Sequence, residues 1–360
     1  MAYEIDFLNA GNKSSGDAIC VRWGNLEGER HEQKIVVIDA GYKDDGLKVV
    51  NHIKKYYKTD VIDLLISTHP DGDHVGGLLN VLENIKVEKF WIHKPWDHNT
   101  NLASKFHDGR ITDNSISERI KDNLEKAYNA VRYAEKNNIE IIEPFQGTTF
   151  DNGNLVVLGP TSHYYDTLIP FFSKMPLAIS EDASLIEAGL EKFKQKVKKL
   201  INCVAEWLSD EGIDNNDTTS AQNNSSVICQ LTVDGRSIIF TGDAGVTALN
   251  YAEPLMNKDN LVMFQVPHHG SRRNISPELL DKIIGNIMPE GEKRNVTAMI
   301  SCAGGHKHPH QAVINAFTRR GAKVITTEGT MKRHGYKAPT REGWSTATPR
   351  EFLKNYQTEE

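Results

Sequence analysis

The sequence predicts a single mixed α/β domain, and three observations carry that prediction. Strand-like apolar runs recur along most of the chain, helical patterns lie between them, and no break in composition divides one half from the other. At 360 residues the chain has ample length for a substantial core. A hydrophobic content of 39% beside 25% charged residues is that of a soluble globular protein.

The strand-like runs are, in order, KIVVIDAG (34–41), VIDLLIST (61–68), VEKFWI (87–92), NLVVLGP (154–160), SVICQLTV (226–233), RSIIFTGD (236–243), LVMFQVP (261–267), VTAMIS (296–301) and AKVITT (322–327). They are rich in β-branched and aromatic residues and bounded by turn formers. Asp234-Gly235, between the fifth and sixth runs, suits a type I′ turn and predicts a tight hairpin. Helical spacing appears in VGGLLNVLE (75–83). SISE (115–118) reads as a capping box opening a helix with Ile116, Ile120, Leu124, Val131 and Ala134 on one face.

The longest helical pattern covers about 181–208. Leu185, Leu190, Phe193, Val197, Leu200, Val204 and Trp207 form its apolar stripe, and Lys192, Lys194, Lys196, Lys198 and Lys199 its other face. SDEGIDNNDTTSAQNN (209–224) is polar and reads as a mobile loop. Residues 161–222 are therefore expected to form a helical insertion, a lid, inside one domain spanning 1–360.

Composition also narrows the function classes. The formal net charge is −6, so no overall basic surface draws nucleic acid, and polyanion binding would rest on local patches. No apolar run approaches a membrane span, and the start MAYEIDFLNAG lacks the layout of a signal peptide. Cys20, Cys203, Cys229 and Cys302 form no CxxC, and three lie in apolar runs, which suits reduced core thiols. The expectation is a cytoplasmic protein with no membrane partner.

The chemistry concentrates in ISTHPDGDHVGG (66–77), where His69, Asp71, Asp73 and His74 fall within six positions after a strand. Imidazoles and carboxylates so placed suit a divalent metal. IIFTGDAG sets Asp243 at another strand end, VPHHGS sets His268 and His269 at a third, and GHKHPH brings His306, His308 and His310 after a fourth. Taken singly, Asp243 would be a helix N-cap, the histidine pair a loop feature and GHKHPH a surface turn. Taken together, four ligand-bearing loops at strand ends are expected to converge on one sheet edge.

HPDGDHVGG resembles the HxHxDH motif of the metallo-β-lactamase superfamily, in the HxDxDHxGG form of the metallo-β-lactamase-like domain of the competence DNA-uptake (ComEC) family. IDFLNAG and GDAICVRW resemble that domain's opening hairpin, VVIDAG its first motif and NNSSVICQL its asparagine-serine strand. IIFTGD, VPHHGS and HPHQAVINAFTRRGAKVITTEGT resemble the remainder. The resemblance does not cover about 95–150, the 161–222 insertion or the family's membrane channel, so DNA transport is not expected. It implies an αββα sandwich with two divalent metal ions at one sheet edge. His69 and Asp71 would hold one ion; Asp73, His74 and one of His268 or His269 the other; Asp243 would bridge, and Asp39 would brace the loop from behind.

Two departures from the pattern bear on the metal. Asp71 stands where a second histidine is usual, and the usual third ligand is missing at the place where Asn223 and Asn224 precede a strand. An oxygen-rich first position is expected to shift preference from zinc toward manganese or magnesium.

Such a pair generates hydroxide and clamps phosphodiester oxygens without a side-chain nucleophile. The expected function is a metal-dependent phosphodiesterase or nuclease. Asp73 and His308 are the catalytic candidates, His308 as general acid, and Arg272 and Arg273 would neutralise phosphate oxygens, with His306 nearby. Lys323, Lys332, Arg333, Lys337, Arg341 and the lid lysines could track a polyanion such as nucleic acid. Hydrolysis of a small ester, lactone or thioester is the alternative. A non-catalytic module binding nucleotide or protein is the third reading, disfavoured by intact Asp73, His74 and Asp243.

Overall fold

The computed structural model describes residues 1–11, 13–176, 178, 213, 218–304 and 308–353. Its strands are β1 (Ala2–Phe7), β2 (Ile19–Gly24), β3 (Gln33–Ile38), β4 (Val61–Ile62), β5 (Leu64–Ile66), β6 (Lys86–Val87), β7 (Lys89–Trp91), β8 (Glu140–Ile142), β9 (Thr149–Phe150), β10 (Leu155–Gly159), β11 (Ile228–Val233), β12 (Arg236–Phe240), β13 (Leu261–Gln265), β14 (Thr297–Ile300), β15 (Lys323–Thr326) and β16 (Lys332–Tyr336). One seven-stranded sheet has the order β16-β1-β2-β3-β5-β7-β8, and a second has the order β15-β14-β13-β12-β11-β10-β9. A short parallel pair, β4 with β6, stands apart from both.

The two-residue period of these strands assigns each side chain to a layer. Val36 and Ile38 of β3, Leu64 and Ile66 of β5, Ile238 and Phe240 of β12 and Met299 of β14 meet in the core between the sheets. Their neighbours point outward. Ile35, Val37 and Leu65 pack on helices Asp45–His52, Leu78–Asn84 and Glu125–Lys136. Ile239, Phe264 and Ile300 pack on helices Val246–Ala252, Pro277–Ile283 and Gln311–Arg319. Both faces of each sheet are buried, which is why these strands read as unbroken apolar runs. The result is a mixed α/β fold, two sheets flanked by helices, in the arrangement of a metallo-β-lactamase sandwich.

Several expectations change at the level of elements. VIDLLIST and VEKFWI each split in two, so that Val61–Ile62 and Lys86–Val87 leave the main sheet. The helix expected to open at Ser115 spans Asp113–Asn123, with Thr112 as N-cap and Ser115 completing the box. It breaks at Leu124, and Val131 and Ala134 belong to a second helix, Glu125–Lys136. The Asp234-Gly235 hairpin is present, both residues at positive φ, 53° and 72°.

The 181–208 helix and its lysines lie outside the described residues. Within the expected insertion, Ser162–Leu168 is a helix, and the end of the expected polar loop is a helical turn, Ala221–Asn224, with Gln222, Asn223 and Asn224 buried. Cys20, Cys229 and Cys302 are buried free thiols, and Cys203 lies outside the described residues. No helix among the described residues is long and apolar enough to cross a membrane.

Candidate functional site

Strands β3, β5 and β7 run parallel, as do β12, β13 and β14, so their carboxyl ends gather loops at one edge of the sandwich. Because β11 is antiparallel to β12, the residues entering β11 reach the same edge. After β3, Asp39 adopts the left-handed conformation at φ 56°. Its carboxylate accepts from Thr68 N (2.8 Å), Thr68 Oγ1 (2.6 Å) and His74 Nδ1 (2.7 Å). The cluster is not all loop: Asp73 and His74 sit in a helical turn, Gly72–Val75. Gly77 follows because its backbone packs on the β3 loop, where an added Cβ would lie 2.2 Å from Ala40 O.

On the second sheet, Asp243 follows β12 but does not cap the next helix, whose N-cap is Gly245. The carboxylate is buried, and its Oδ1 has no hydrogen-bond partner among the described residues. His268, His269 and Gly270 follow β13 with φ of 48°, 56° and 83°. Three successive left-handed residues bend the chain sharply, and for two non-glycine residues this is strained backbone of the kind held at functional sites.

Four imidazoles meet at Asp243, and for three of them the partner of Nδ1 shows that this nitrogen carries a proton. His74 Nδ1 faces the Asp39 carboxylate, and His269 Nδ1 faces Ser301 O at 3.0 Å; both partners only accept. Thr68 Oγ1 spends its proton on Asp39, so at 3.1 Å it accepts from His69 Nδ1. Asn274 Nδ2 donates to Asp243 O at 2.8 Å, which turns Asn274 Oδ1 toward His268 Nδ1 at 3.0 Å as the acceptor. In His69, His74 and His269 the Nδ1 therefore carries a proton and Nε2 is the atom left to face a metal. His268 Nδ1 instead lies between an acceptor, Asn274 Oδ1, and a donor, Asn223 Nδ2 at 3.3 Å, so either of its nitrogens can carry the proton. The Nε2 atoms of His69, His74, His268 and His269 lie 3.8, 3.3, 3.7 and 4.0 Å from Asp243 carboxylate oxygens. Ring nitrogens so close to a buried carboxylate are held there by a proton on Nε2 or by a cation between them.

The surrounding carboxylates fit that requirement. Asp71 Oδ2 lies 3.8 Å from His69 Nε2, and Asp73 Oδ2 lies 3.4 Å from His269 Nε2. His69, His74 and Asp243 could hold one ion; Asp73, His74 and His269 form a second such group. Burial disfavours charge on His74, yet Asp243, Asp39 and Asp73 outweigh it and push its pKa well above the ordinary value. His69 goes the other way, lowered by burial and by His74. Burial alone would raise Asp243, but His74, His268 and His269 hold it well below the usual carboxylate range. These opposed shifts are those of a site that attracts positive charge.

The two asparagines are tied to groups around the site. Asn224 Oδ1 accepts from Gly245 N at 3.2 Å, and Asn223 turns its amide nitrogen to Thr219 Oγ1 at 2.9 Å. Both histidines of the pair reach Asp243, so imidazoles as well as carboxylates surround it. His308 stands one ring further out, its centre 5.9 Å from that of His268. Arg272 is half-buried and Arg273 exposed beside this turn, and neither has a carboxylate partner among the described residues. His306 lies outside the described residues.

Sequence reasoning missed Asp17, Gln222 and Asn274. Asp17 donates its backbone N–H to Asp73 O at 3.2 Å, and its buried carboxylate accepts from Gln265 Nε2 at 2.8 Å. Burial raises its pKa, against the pull of His269 and His74. Asp17 lies in GDAICVRW, and nothing in that stretch signals its distant partner.

Residues 29–172 match the family model described as "Metallo-beta-lactamase superfamily". No curated protein matches the sequence. Among solved structures the chain is similar to Tm1679, a metal-dependent hydrolase of the beta-lactamase superfamily, at 12% identity over 92% of this chain and 98% of that one, with a TM-score of 0.45. It is also similar to the metallo-beta-lactamase fold protein YhfI from Bacillus subtilis, at 8% identity over 93% of this chain and 100% of that one, with a TM-score of 0.42. The matched segment holds His69, Asp71, Asp73 and His74.

Proposed function

We propose that this protein is a hydrolase of phosphodiester bonds that works with two divalent metal ions, zinc or manganese. The observation that carries the reading is the set of four Nε2 atoms gathered around Asp243. His69, Asp71 and His268 would hold one ion, Asp73, His74 and His269 the other, with Asp243 between them. Such ions supply hydroxide near neutral pH and stabilise the attacking and leaving oxygens. Two imidazoles and carboxylates at each position suit zinc and manganese alike, and magnesium less well.

The protein's own groups do the rest. Asp39 holds Thr68 and His74 so that the His74 Nε2 stays aimed inward. Arg272 and Arg273, without carboxylate partners among the described residues, supply donors to the non-bridging phosphate oxygens. His308, beside His268, is placed to donate a proton to the leaving oxygen. The motif form shared with the ComEC family supports the same chemistry.

Short substrates suit this protein better than long nucleic acid. Arg333 and Arg341, two of the basic residues expected to track a polyanion, spend their charge on buried Glu4 and Asp6.

Purified protein should hydrolyse bis-p-nitrophenyl phosphate with manganese or zinc, faster than p-nitrophenyl acetate and faster than single- or double-stranded DNA or RNA. Asp243→Ala should lose most bound metal and about a thousandfold in rate, about 4 kcal/mol of barrier. Full metal occupancy and a wild-type rate in Asp243→Ala would overturn the reading. Preference for the acetate would favour the ester reading, and metal binding without turnover of any substrate would favour a binding module.

A further inference from the structure

The segment Gln222–Val227 touches three of the ligand-bearing loops, those of His69, Asp243 and His268. Gln222 Nε2 donates to Asp71 Oδ1 at 2.7 Å, leaving Oδ2 directed at His69. Its orientation is determined, because Gln222 Oε1 accepts from Ser173 N at 2.8 Å and the amide nitrogen must therefore face Asp71. The Asn223 amide lies 3.3 Å from His268 Nδ1. Asn224 Oδ1 accepts from Gly245 N, and Ser226 Oγ accepts from Asp243 N at 3.2 Å. Val227 N donates to Thr68 O at 2.9 Å, next to His69. All six residues are buried, and Ser225 and Ser226 are fully so.

We propose that residues 222–227 are positioning residues that set the distance between the two metal positions, with Gln222 fixing which oxygen Asp71 offers. This rests on the metal-dependent reading of the site. The physical ground is that the His69–Asp71 loop comes from one sheet, while the Asp243 and His268 loops come from the other. Nothing in either sheet alone fixes their separation. One rigid turn bonded to all three loops does so, and a shift of a few tenths of an ångström is felt directly in metal affinity.

The test titrates the full chain with Mn(II) and follows both affinity and the electron paramagnetic resonance spectrum, which distinguishes a coupled pair of ions from isolated ones. Wild type should take up two ions and show the coupled pair. Gln222→Ala, Asn224→Ala and Ser226→Ala should bind manganese 10- to 100-fold more weakly. Their coupled signal should be altered or lost, with kcat recovering at saturating manganese and KM for the phosphodiester unchanged.

Gln222→Glu separates positioning from space-filling. It keeps size and an acceptor for Ser173 but loses the donor to Asp71, so it should behave like Gln222→Ala. Should the Asn224 or Ser226 variants not fold, the two Gln222 variants carry the test. Wild-type affinity and coupling in both Gln222 variants overturns this inference and leaves the hydrolase reading standing. A wild-type chain that takes up no manganese or zinc overturns both.

Discussion

Both ring nitrogens of His93 are buried without a hydrogen-bond partner among the described residues, and so is the hydroxyl of Tyr165. The His93 and Tyr165 rings lie 4.3 Å apart at 31°, and Phe145 lies 4.6 Å from His93 and 5.7 Å from Tyr165. With Ser67, Thr68 and Ser225 they line a small cavity directly behind His69. Burial lowers the His93 pKa to about 3, against about 6.5 for an ordinary histidine. Between those values the unfolded chain binds a proton that the folded chain refuses, so stability is lost as pH falls through that window. In His93→Phe the drop in unfolding free energy between pH 7 and pH 5 should therefore shrink by about 2 kcal/mol, as read from urea denaturation at each pH. An unchanged drop would mean that His93 is hydrogen-bonded in solution. At this scale the sequence was legible where chemistry is locally dense: His69, Asp71, Asp73 and His74 announce themselves within six positions. His93, Gln222 and Asn274 do not, because what makes each notable is a partner, or the lack of one, brought close by the fold from far along the chain.

The turns show the same division among elements. Gly235 sits in the hairpin at φ 72°, with nothing within 4 Å of an added Cβ, so its requirement is conformational and visible in the Asp-Gly pair. Gly77 has an ordinary backbone, but a Cβ there would lie 2.2 Å from Ala40 O and 2.6 Å from Gly46 N. Gly235→Ala should cost about 1 kcal/mol. Gly77→Ala should cost at least about 2 kcal/mol, because backbone must move, and it should also lower metal affinity by displacing His74. Denaturant midpoints and a metal titration of the two variants check this, and equal costs would contradict it. Strands were legible as apolar runs because both faces of each sheet are covered. Boundaries were less so: Thr112 rather than Ser115 caps its helix, since Ser and Thr three residues apart can each play either part in the box. The brief β8 and β9 carry too few residues to show a period.

Across the whole molecule, the least legible feature is a charge cluster on the outer face of β1, remote in sequence from the residues that neutralise it. Asp6 accepts from both Arg341 Nη1 and Nη2 at 2.8 Å and from Tyr57 at 2.7 Å, with His52 Nε2 at 3.0 Å. Glu4 pairs with Arg22, with Arg333 at 2.9 Å and with Arg341 at 2.9 Å. Arg341 lies between Tyr56 and Trp344. Burial raises the Asp6 pKa, but His52 and Arg341 outweigh it and keep the carboxylate ionised. Arg341→Met should leave two buried carboxylates short of a partner and cost about 3–5 kcal/mol, with Arg341→Lys in between because one ammonium cannot make the bidentate pair. Chemical denaturation of the three proteins gives the order, and a Met variant as stable as wild type would show that the pair contributes nothing. Read as linear text, Lys323, Lys332, Arg333, Lys337 and Arg341 form a basic patch for a polyanion; in the fold, two of the five, Arg333 and Arg341, are internal counter-ions. The same pairing has a consequence for biosynthesis. Arg341 follows Asp6 by 335 residues, so a nascent chain growing at about 5–20 residues per second exposes β1 for roughly 20–70 s before its strand partner β16 and its counter-ions leave the ribosome. Through that interval the first strand made has one open edge, with Glu4 matched by Arg22 alone and Asp6 without its arginine. Such inward-pointing acids short of a partner disfavour pairing with the wrong neighbour until the right one arrives.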